Sequence, residues 1–124
     1  MCKYMKLQLL LITLDRVLRS CHNYQNKAKP LAIGILTLHL QLPGCTSLKE
    51  KRSRIKPVLA RLHREFNVSA AEDGLNDRWQ EAIMVCALAS NGAGFTRKAL
   101  QTVLSFMEEH FPDLYILEHR IEIL

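Results

Sequence analysis

The sequence predicts an α+β domain, because segments that alternate apolar with polar residues are interleaved with two segments of helical periodicity. Leu36, Leu38, Leu40 and Leu42 alternate with polar residues, which predicts a first strand with one buried face. The chain has 124 residues, enough for one domain with a real core and too few to expect two.

A helix is predicted directly after the Pro43-Gly44 turn that follows this strand. Ser47 is the predicted N-cap: its hydroxyl would accept from the amide of Glu50, and Glu50 would accept from the amide of Ser47. Pro57 is expected to bend this helix on its exposed side. The apolar stripe comprises Leu48, Ile55, Val58, Leu59, Leu62 and Phe66, and the opposite arc carries Lys49, Arg52, Lys56 and Arg64.

The remaining elements follow in regular order. Residues 67–72 predict a short strand, residues 82–90 an apolar strand at the centre of a sheet, and residues 95–110 a second helix. Its inward residues are Leu100, Val103, Leu104 and Met107, and those of a last strand are Leu117, Ile121 and Ile123. The order βαββαβ folds most simply as a four-stranded antiparallel sheet with both helices on one face, the ferredoxin-like arrangement.

Residues 1–30 differ in character from residues 31–124, so the predicted organisation is an N-terminal extension followed by one domain. The extension is expected to be a flexible segment or residues translated upstream of the natural start; the alternative is an amphipathic helix over about residues 5–20 that docks on the domain or on a membrane surface. Its apolar run, Leu7 to Leu14, is too short to span a bilayer. The four cysteines have no paired spacing, which favours reduced thiols and a cytoplasmic location.

The positive charge is unevenly distributed. Residues 1–29 hold six basic residues against Asp15 alone, a net charge of +5 that equals the charge of the whole chain. The rest is neutral, yet the helix from Ser47 carries seven basic residues against Glu50 and Glu65. This polarity favours one anionic partner at one face over general coating of nucleic acid.

The basic helix is the first candidate site, with RNA phosphate as its predicted ligand. The free amides of its first turn would add to the attraction for an anion. The alternative is that these charges are only solvated. The candidate contacts are Ser47, Lys49, Lys51, Arg52, Arg54 and Lys56.

The face of the sheet away from the helices is the second candidate. Its predicted residues on the first strand include Ile33 and Ile35, and the absence of aromatic residues argues against stacking of RNA bases there. Such an apolar patch needs cover, by a second copy of the chain, by a partner protein, or by the N-terminal segment.

No catalytic set is evident, so we expect a protein that is not an enzyme and that uses no metal or cofactor. The five histidines are scattered without ligand spacing, although His39 and His119 are expected to approach each other if the last strand pairs with the first. Trp79 is interpreted as a packing anchor, with Arg78 stacked on it.

Several motifs together resemble the YlxP-like family of small bacterial proteins of unknown function. They are Gly34-Ile35-Leu36, Leu42-Pro43-Gly44 followed by Ser47-Leu48-Lys49 and Lys51-Arg52, Phe66-Asn67-Val68-Ser69 with Glu72, Trp79-Gln80, Ser90-Asn91 and Ile121-Glu122-Ile123-Leu124. The resemblance implies a ferredoxin-like cytoplasmic domain whose genes neighbour those of translation initiation and ribosome maturation factors. Ribosomal RNA or the ribosome is therefore the expected partner; a homodimerisation module and a small anion-binding regulator are the alternatives.

Overall fold

The computed structural model describes residues 31–75 and 77–124. In chain order the elements are β1 (Ala32–Gln41), α1 (Leu48–Glu65), β2 (Ser69–Glu72), β3 (Glu81–Ser90), α2 (Ala93–His110) and β4 (Tyr115–Ile123). The strands form one antiparallel sheet in the order β2-β3-β1-β4. This confirms the predicted α+β, ferredoxin-like fold. The predicted extension, residues 1–30, lies outside the described residues.

The core lies between the sheet and the two helices. The core-facing side chains at the middle of β1 and β3 are fully buried and join one cluster with buried residues of both helices; they are Leu36, Leu38, Leu40, Ala82, Met84 and Cys86. Burying each large apolar side chain contributes about 1.5–3 kcal/mol, so the alternation of these two strands fixes which face the helices cover.

Helix α2 packs directly against β1 at Gly34. A Cβ atom at this position would lie 2.7 Å from Leu100 Cδ1 and closer still to Thr96 Cγ2. The hydroxyl of Thr96 is itself held, 3.0 Å from the carbonyl oxygen of Gly92 and 2.6 Å from Ser90 Oγ. Glycine is therefore needed here for space, and the contact sets the height of α2 above the sheet.

The element bounds differ from the prediction by a few residues. The second helix begins at Ala93, two residues before the predicted start, because Ser90 Oγ accepts from the amide of Gly92 and holds the turn that precedes it. The first helix runs unbroken through Pro57, which is exposed. Neither helix among the described residues is long and apolar enough to cross a membrane.

The prediction for Leu117 is wrong. The register between β1 and β4 pairs His39 with Glu118 but Leu40 with Ile116, which leaves Leu117 as the extra residue of a β-bulge. Leu117 is 50% exposed, and Ile116 packs against the core in its place. A bulge shifts the alternation by one residue, and strict alternation in the sequence cannot reveal it.

Candidate nucleic-acid interface

The N-terminus of α1 is closed by its own side chains. Ser47 Oγ accepts from the amide of Glu50 at 3.1 Å, as predicted for the N-cap. The carboxylate of Glu50 reaches one residue further back than predicted: it accepts from the amide of Thr46 at 2.9 Å and from the Thr46 hydroxyl at 3.0 Å. These two bonds, the amide bond first, hold the pKa of the Glu50 carboxyl below its ordinary value.

A carboxylate therefore already stands beside the positive end of the α1 dipole. Glu50 supplies there the negative charge that a phosphate would otherwise bring. The expected attraction of an external anion to the first-turn amides is correspondingly reduced. Any phosphate contact on this helix depends instead on the basic side chains.

Lys51 is buried within the fold. Its side chain is 2% exposed, and its Nζ atom lies 3.0 Å from Glu72 Oε1 and 2.8 Å from the carbonyl oxygen of Leu75. These contacts tie the segment after β2 to α1. The sequence indicates that position 51 faces the core, because Lys51 precedes Ile55, Val58 and Leu62 at the spacing of a single helix face. A phosphate could reach this ammonium group only by displacing Glu72.

Arg54 and Arg61 also contact their own chain. Arg54 donates to the carbonyl oxygens of Pro43 at 2.9 Å and Asp113 at 3.1 Å, which joins the turns that precede α1 and β4. The guanidinium of Arg61 lies 5.0 Å from the ring centroid of Phe106 and 5.7 Å from that of Phe111, within cation–π range. Both side chains therefore have intramolecular roles.

Four basic residues remain directed toward solvent, and they are those of the predicted exposed arc: Lys49, Arg52, Lys56 and Arg64. Arg64 Nε lies 3.8 Å from Oε1 of the neighbouring Glu65. Lys49, Arg52 and Lys56 make no ion pair with any residue in the described part of the chain. They are spaced three and four residues apart, so they form one row along the helix. We call these three residues the basic row.

A shallow groove runs beside the basic row. Arg52 and Lys56 line it together with Ile55 and Leu59 of the same helix and Glu72 of β2. Two cations therefore stand next to a short apolar surface, with one carboxylate that already pairs with Lys51. This arrangement suits contact with a flexible anionic chain along the helix surface.

The sheet carries its second, odd-numbered row of side chains on the face away from the helices, which we call the open face. Ile33 and Ile35 lie there, as predicted from strand alternation; Ile33 is 6% exposed and Ile35 is half-buried. Thr37 and His39 continue the row on β1, and their partners on β3 are Val85 and Ile83. No aromatic side chain on β1 or β3 offers a platform for stacking bases.

Two expectations for single residues are wrong. His39 pairs with Glu118 and His119 with Leu38, so the two histidines project from opposite faces of the sheet. Trp79 is 51% exposed, and Arg78 forms an ion pair with Glu81 at 2.8 Å, a contact that contributes to lowering the pKa of the Glu81 carboxyl. Helical or strand periodicity in the sequence does not predict the burial of a loop residue such as Trp79.

The described residues contain two buried thiols and no cluster suited to a metal ion. Cys45 and Cys86 are both buried, and burial raises the pKa of the Cys86 thiol to about 12. Among residues 31–75 and 77–124, no three His, Cys, Asp or Glu side chains come together in a way that could hold a metal ion.

Comparison with known proteins identifies relatives of this chain. Residues 33–121 match the family model described as "Protein of unknown function (DUF503)". The chain is 43% identical over 68 residues to the uncharacterized protein YlxP of Bacillus subtilis (strain 168), a match that covers 55% of this chain and 73% of that protein. This confirms the resemblance read from the motifs.

A likeness also exists among solved structures. The de novo designed protein Foldit4 matches with a TM-score of 0.47 and 14% sequence identity, over 77% of this chain and 97% of that chain. Similarity at this level has no bearing on function.

Proposed function

The chain belongs to the DUF503 family, for which no function is known, and we propose from its charge geometry that it is a cytoplasmic, non-enzymatic protein that binds ribosomal RNA. In this proposal Lys49, Arg52 and Lys56 contact successive phosphates of an RNA strand laid along α1. The observation that carries it is that these three cations stand in a row and have no carboxylate partner among residues 31–75 and 77–124, while the other basic residues of α1 are engaged or lie beside an acid.

The length of the basic row fits several phosphates rather than one. Lys56 lies seven positions after Lys49, a distance of about 10 Å along a helix axis at 1.5 Å per residue. The side chains of lysine and arginine extend this reach and can adjust to a flexible strand. Two or three phosphate contacts are therefore expected, and each would release counterions on binding.

The surroundings of the basic row would orient an RNA strand. Residues 31–124 hold equal numbers of basic and acidic residues, so the concentration of positive charge on α1 is balanced by acidic residues elsewhere. Glu118 and Glu122 are among these acidic residues, and they lie on β4, at the edge of the sheet opposite β2, whose following segment contacts α1. An anionic strand would be attracted to α1 and repelled from the opposite edge of the domain.

Filter binding of the full chain to ribosomal RNA tests the proposal. We compare Arg52→Gln/Lys56→Gln with the matched control Arg97→Gln/Lys98→Gln, which removes the same two charges from exposed positions of α2. At about −0.7 in log K per log salt for each single-strand phosphate, the first variant should lose roughly 1.4 units of salt slope. The control should keep the wild-type slope.

Equal losses in both variants would contradict the proposal, since they would show that net charge alone governs binding. Undetectable binding of folded wild type at low salt would also contradict it. A saturable thermal shift with inorganic phosphate, without RNA binding, would assign the basic row to the alternative function of a small anion-binding regulator.

A further inference from the structure

Two exposed aromatic side chains lie at the end of the sheet where β1 stops and β3 begins. Trp79 is 51% exposed and precedes β3, and Tyr115 is 58% exposed and begins β4. Gln41, the last residue of β1, pairs with Tyr115 on one side and with Glu81 on the other. Directly paired residues project from the same face with Cβ atoms about 5 Å apart, so Tyr115 stands immediately beside Gln41.

Trp79 lines an open groove on the other side of Gln41. The groove has a volume of about 360 Å³, at the lower end of the range for small-ligand sites. The side-chain amide of Gln41 makes no hydrogen bond with any residue in the described part of the chain, so its donors and its acceptor are available to a ligand. The remaining lining residues are Asp77, Arg78, Gln80 and Glu81.

The charges of the groove suit an uncharged ligand group better than a phosphate. Glu81 is already paired with Arg78 at 2.8 Å, and Asp77 adds a second carboxylate. Carboxylate oxygens accept hydrogen bonds from the amino groups of nucleobases, whereas they repel a phosphate. An exposed aromatic ring beside a free amide therefore matches the flat face and the polar edge of a base.

We propose that an unpaired base of the bound RNA strand stacks on the ring of Trp79 with its edge toward Gln41, and that Tyr115 offers a stacking surface to a neighbouring base. We call these three residues the base site. The inference deepens the proposed function and rests on it, because the basic row supplies the phosphate contacts of the same strand. It also predicts a preference for single-stranded RNA, since the bases of a duplex are already stacked and paired.

The segment that carries Trp79 is tied to the first turns of α1. The carbonyl oxygen of Leu75 accepts from Lys51 Nζ at 2.8 Å and from the amide of Arg78 at 3.0 Å. The residue after Trp79 accepts through its carbonyl oxygen from the amide of Leu42 at 2.8 Å. The ring is therefore held beside the N-terminal half of α1, where the basic row begins.

The segment that carries Tyr115 is tied to the same part of the helix. Arg54 donates to the carbonyl oxygen of Asp113 at 3.1 Å, two residues before Tyr115. Because Trp79 lies beyond the last paired residues of β1 and β3, the base site is at the end of the sheet and not over the middle of either face. A strand whose phosphates follow the basic row can pass around this end and place its bases in the site.

Tryptophan fluorescence tests the proposal, because Trp79 is the single tryptophan of the chain. The full chain is titrated with a short single-stranded RNA of mixed sequence and, separately, with inorganic polyphosphate, which is an anionic chain without bases. RNA should quench the emission in a saturable manner, because a stacked base lies against the indole ring. Polyphosphate should leave the emission unchanged.

Three variants measure what the ring contributes to RNA affinity, read from the anisotropy of a labelled RNA. Trp79→Leu should weaken binding roughly 5- to 150-fold, the loss expected for one base stack, and Trp79→Phe should restore much of the affinity. The matched control is Phe95→Leu, which removes a ring that is 66% exposed at the start of α2, at the opposite end of the sheet. It should bind as wild type, and unchanged thermal midpoints show that each variant is folded.

The outcomes separate the base site from the basic row. If Arg52→Gln/Lys56→Gln weakens RNA binding while RNA leaves the Trp79 emission unchanged and Trp79→Leu binds as wild type, the base site alone is overturned. Quenching by RNA with full affinity in Arg52→Gln/Lys56→Gln would support the base site and contradict the basic row. Equal quenching by polyphosphate, or an equal loss of affinity in Phe95→Leu, overturns the base site. Undetectable RNA binding by folded wild type overturns both.

Discussion

Removal of the Glu72 carboxylate should destabilise the domain strongly, because it leaves the Lys51 ammonium buried without a counter-ion. The Lys51 side chain is 2% exposed, and after Glu72→Gln its ammonium group would keep only neutral acceptors, the carbonyl oxygen of Leu75 and the introduced side-chain amide oxygen. Losing one member of a buried pair typically costs 3–5 kcal/mol. Since Glu72 is 22% exposed and admits water, we expect about 3 kcal/mol for Glu72→Gln.

The double variant Lys51→Met/Glu72→Gln should be more stable than Glu72→Gln alone. Methionine fills much of the volume of the lysine side chain and leaves no charge in the core, and replacement of buried ion pairs by apolar residues is often neutral. Urea unfolding measures both differences in free energy. The reasoning fails if Glu72→Gln unfolds within about 0.5 kcal/mol of wild type, or if the double variant is less stable than the single one.

Two further variants test the local geometry. Glu50→Gln should lower the free energy of unfolding at neutral pH. The difference from wild type should vanish as the pH falls through the lowered pKa of Glu50, because the wild-type protein then loses its stabilising carboxylate as well. A difference that does not depend on pH would contradict this. Gly34→Ala should cost about 1–3 kcal/mol by overpacking against Thr96 and Leu100, and an unchanged thermal midpoint would show that α2 can move.

The sequence was sufficient for the element order because each element has a clear period. Leu36, Leu38 and Leu40 alternate through a half-buried strand, and all three are fully buried in the structure. The cap at Ser47 was equally predictable, since a hydroxyl three residues before Glu50 is a local signal. The bulge at Leu117 was not, because it depends on the pairing of β1 with β4 and not on either strand alone.

The candidate site was predictable in part. The wheel placed Lys49, Arg52 and Lys56 on the exposed arc, and the structure leaves them exposed. Grouping Lys51 and Arg54 with them followed from charge alone, whereas their actual partners, Glu72 and the carbonyl oxygens of Pro43 and Asp113, come from distant parts of the chain. Periodicity identifies a buried position, but only the tertiary structure shows which partner neutralises a cation there.

The central claim is that α1 divides its basic residues between the fold and an RNA partner. The most direct test is the affinity of Arg52→Gln and Arg54→Gln for ribosomal RNA at one fixed low salt concentration. Each variant removes one arginine charge from α1, two residues apart. We predict that Arg52→Gln weakens binding several-fold while Arg54→Gln binds nearly as wild type, because the Arg54 guanidinium is held by two carbonyl oxygens of its own chain. Equal weakening by the two variants would contradict the claim that Arg52 contacts RNA while Arg54 serves only the fold.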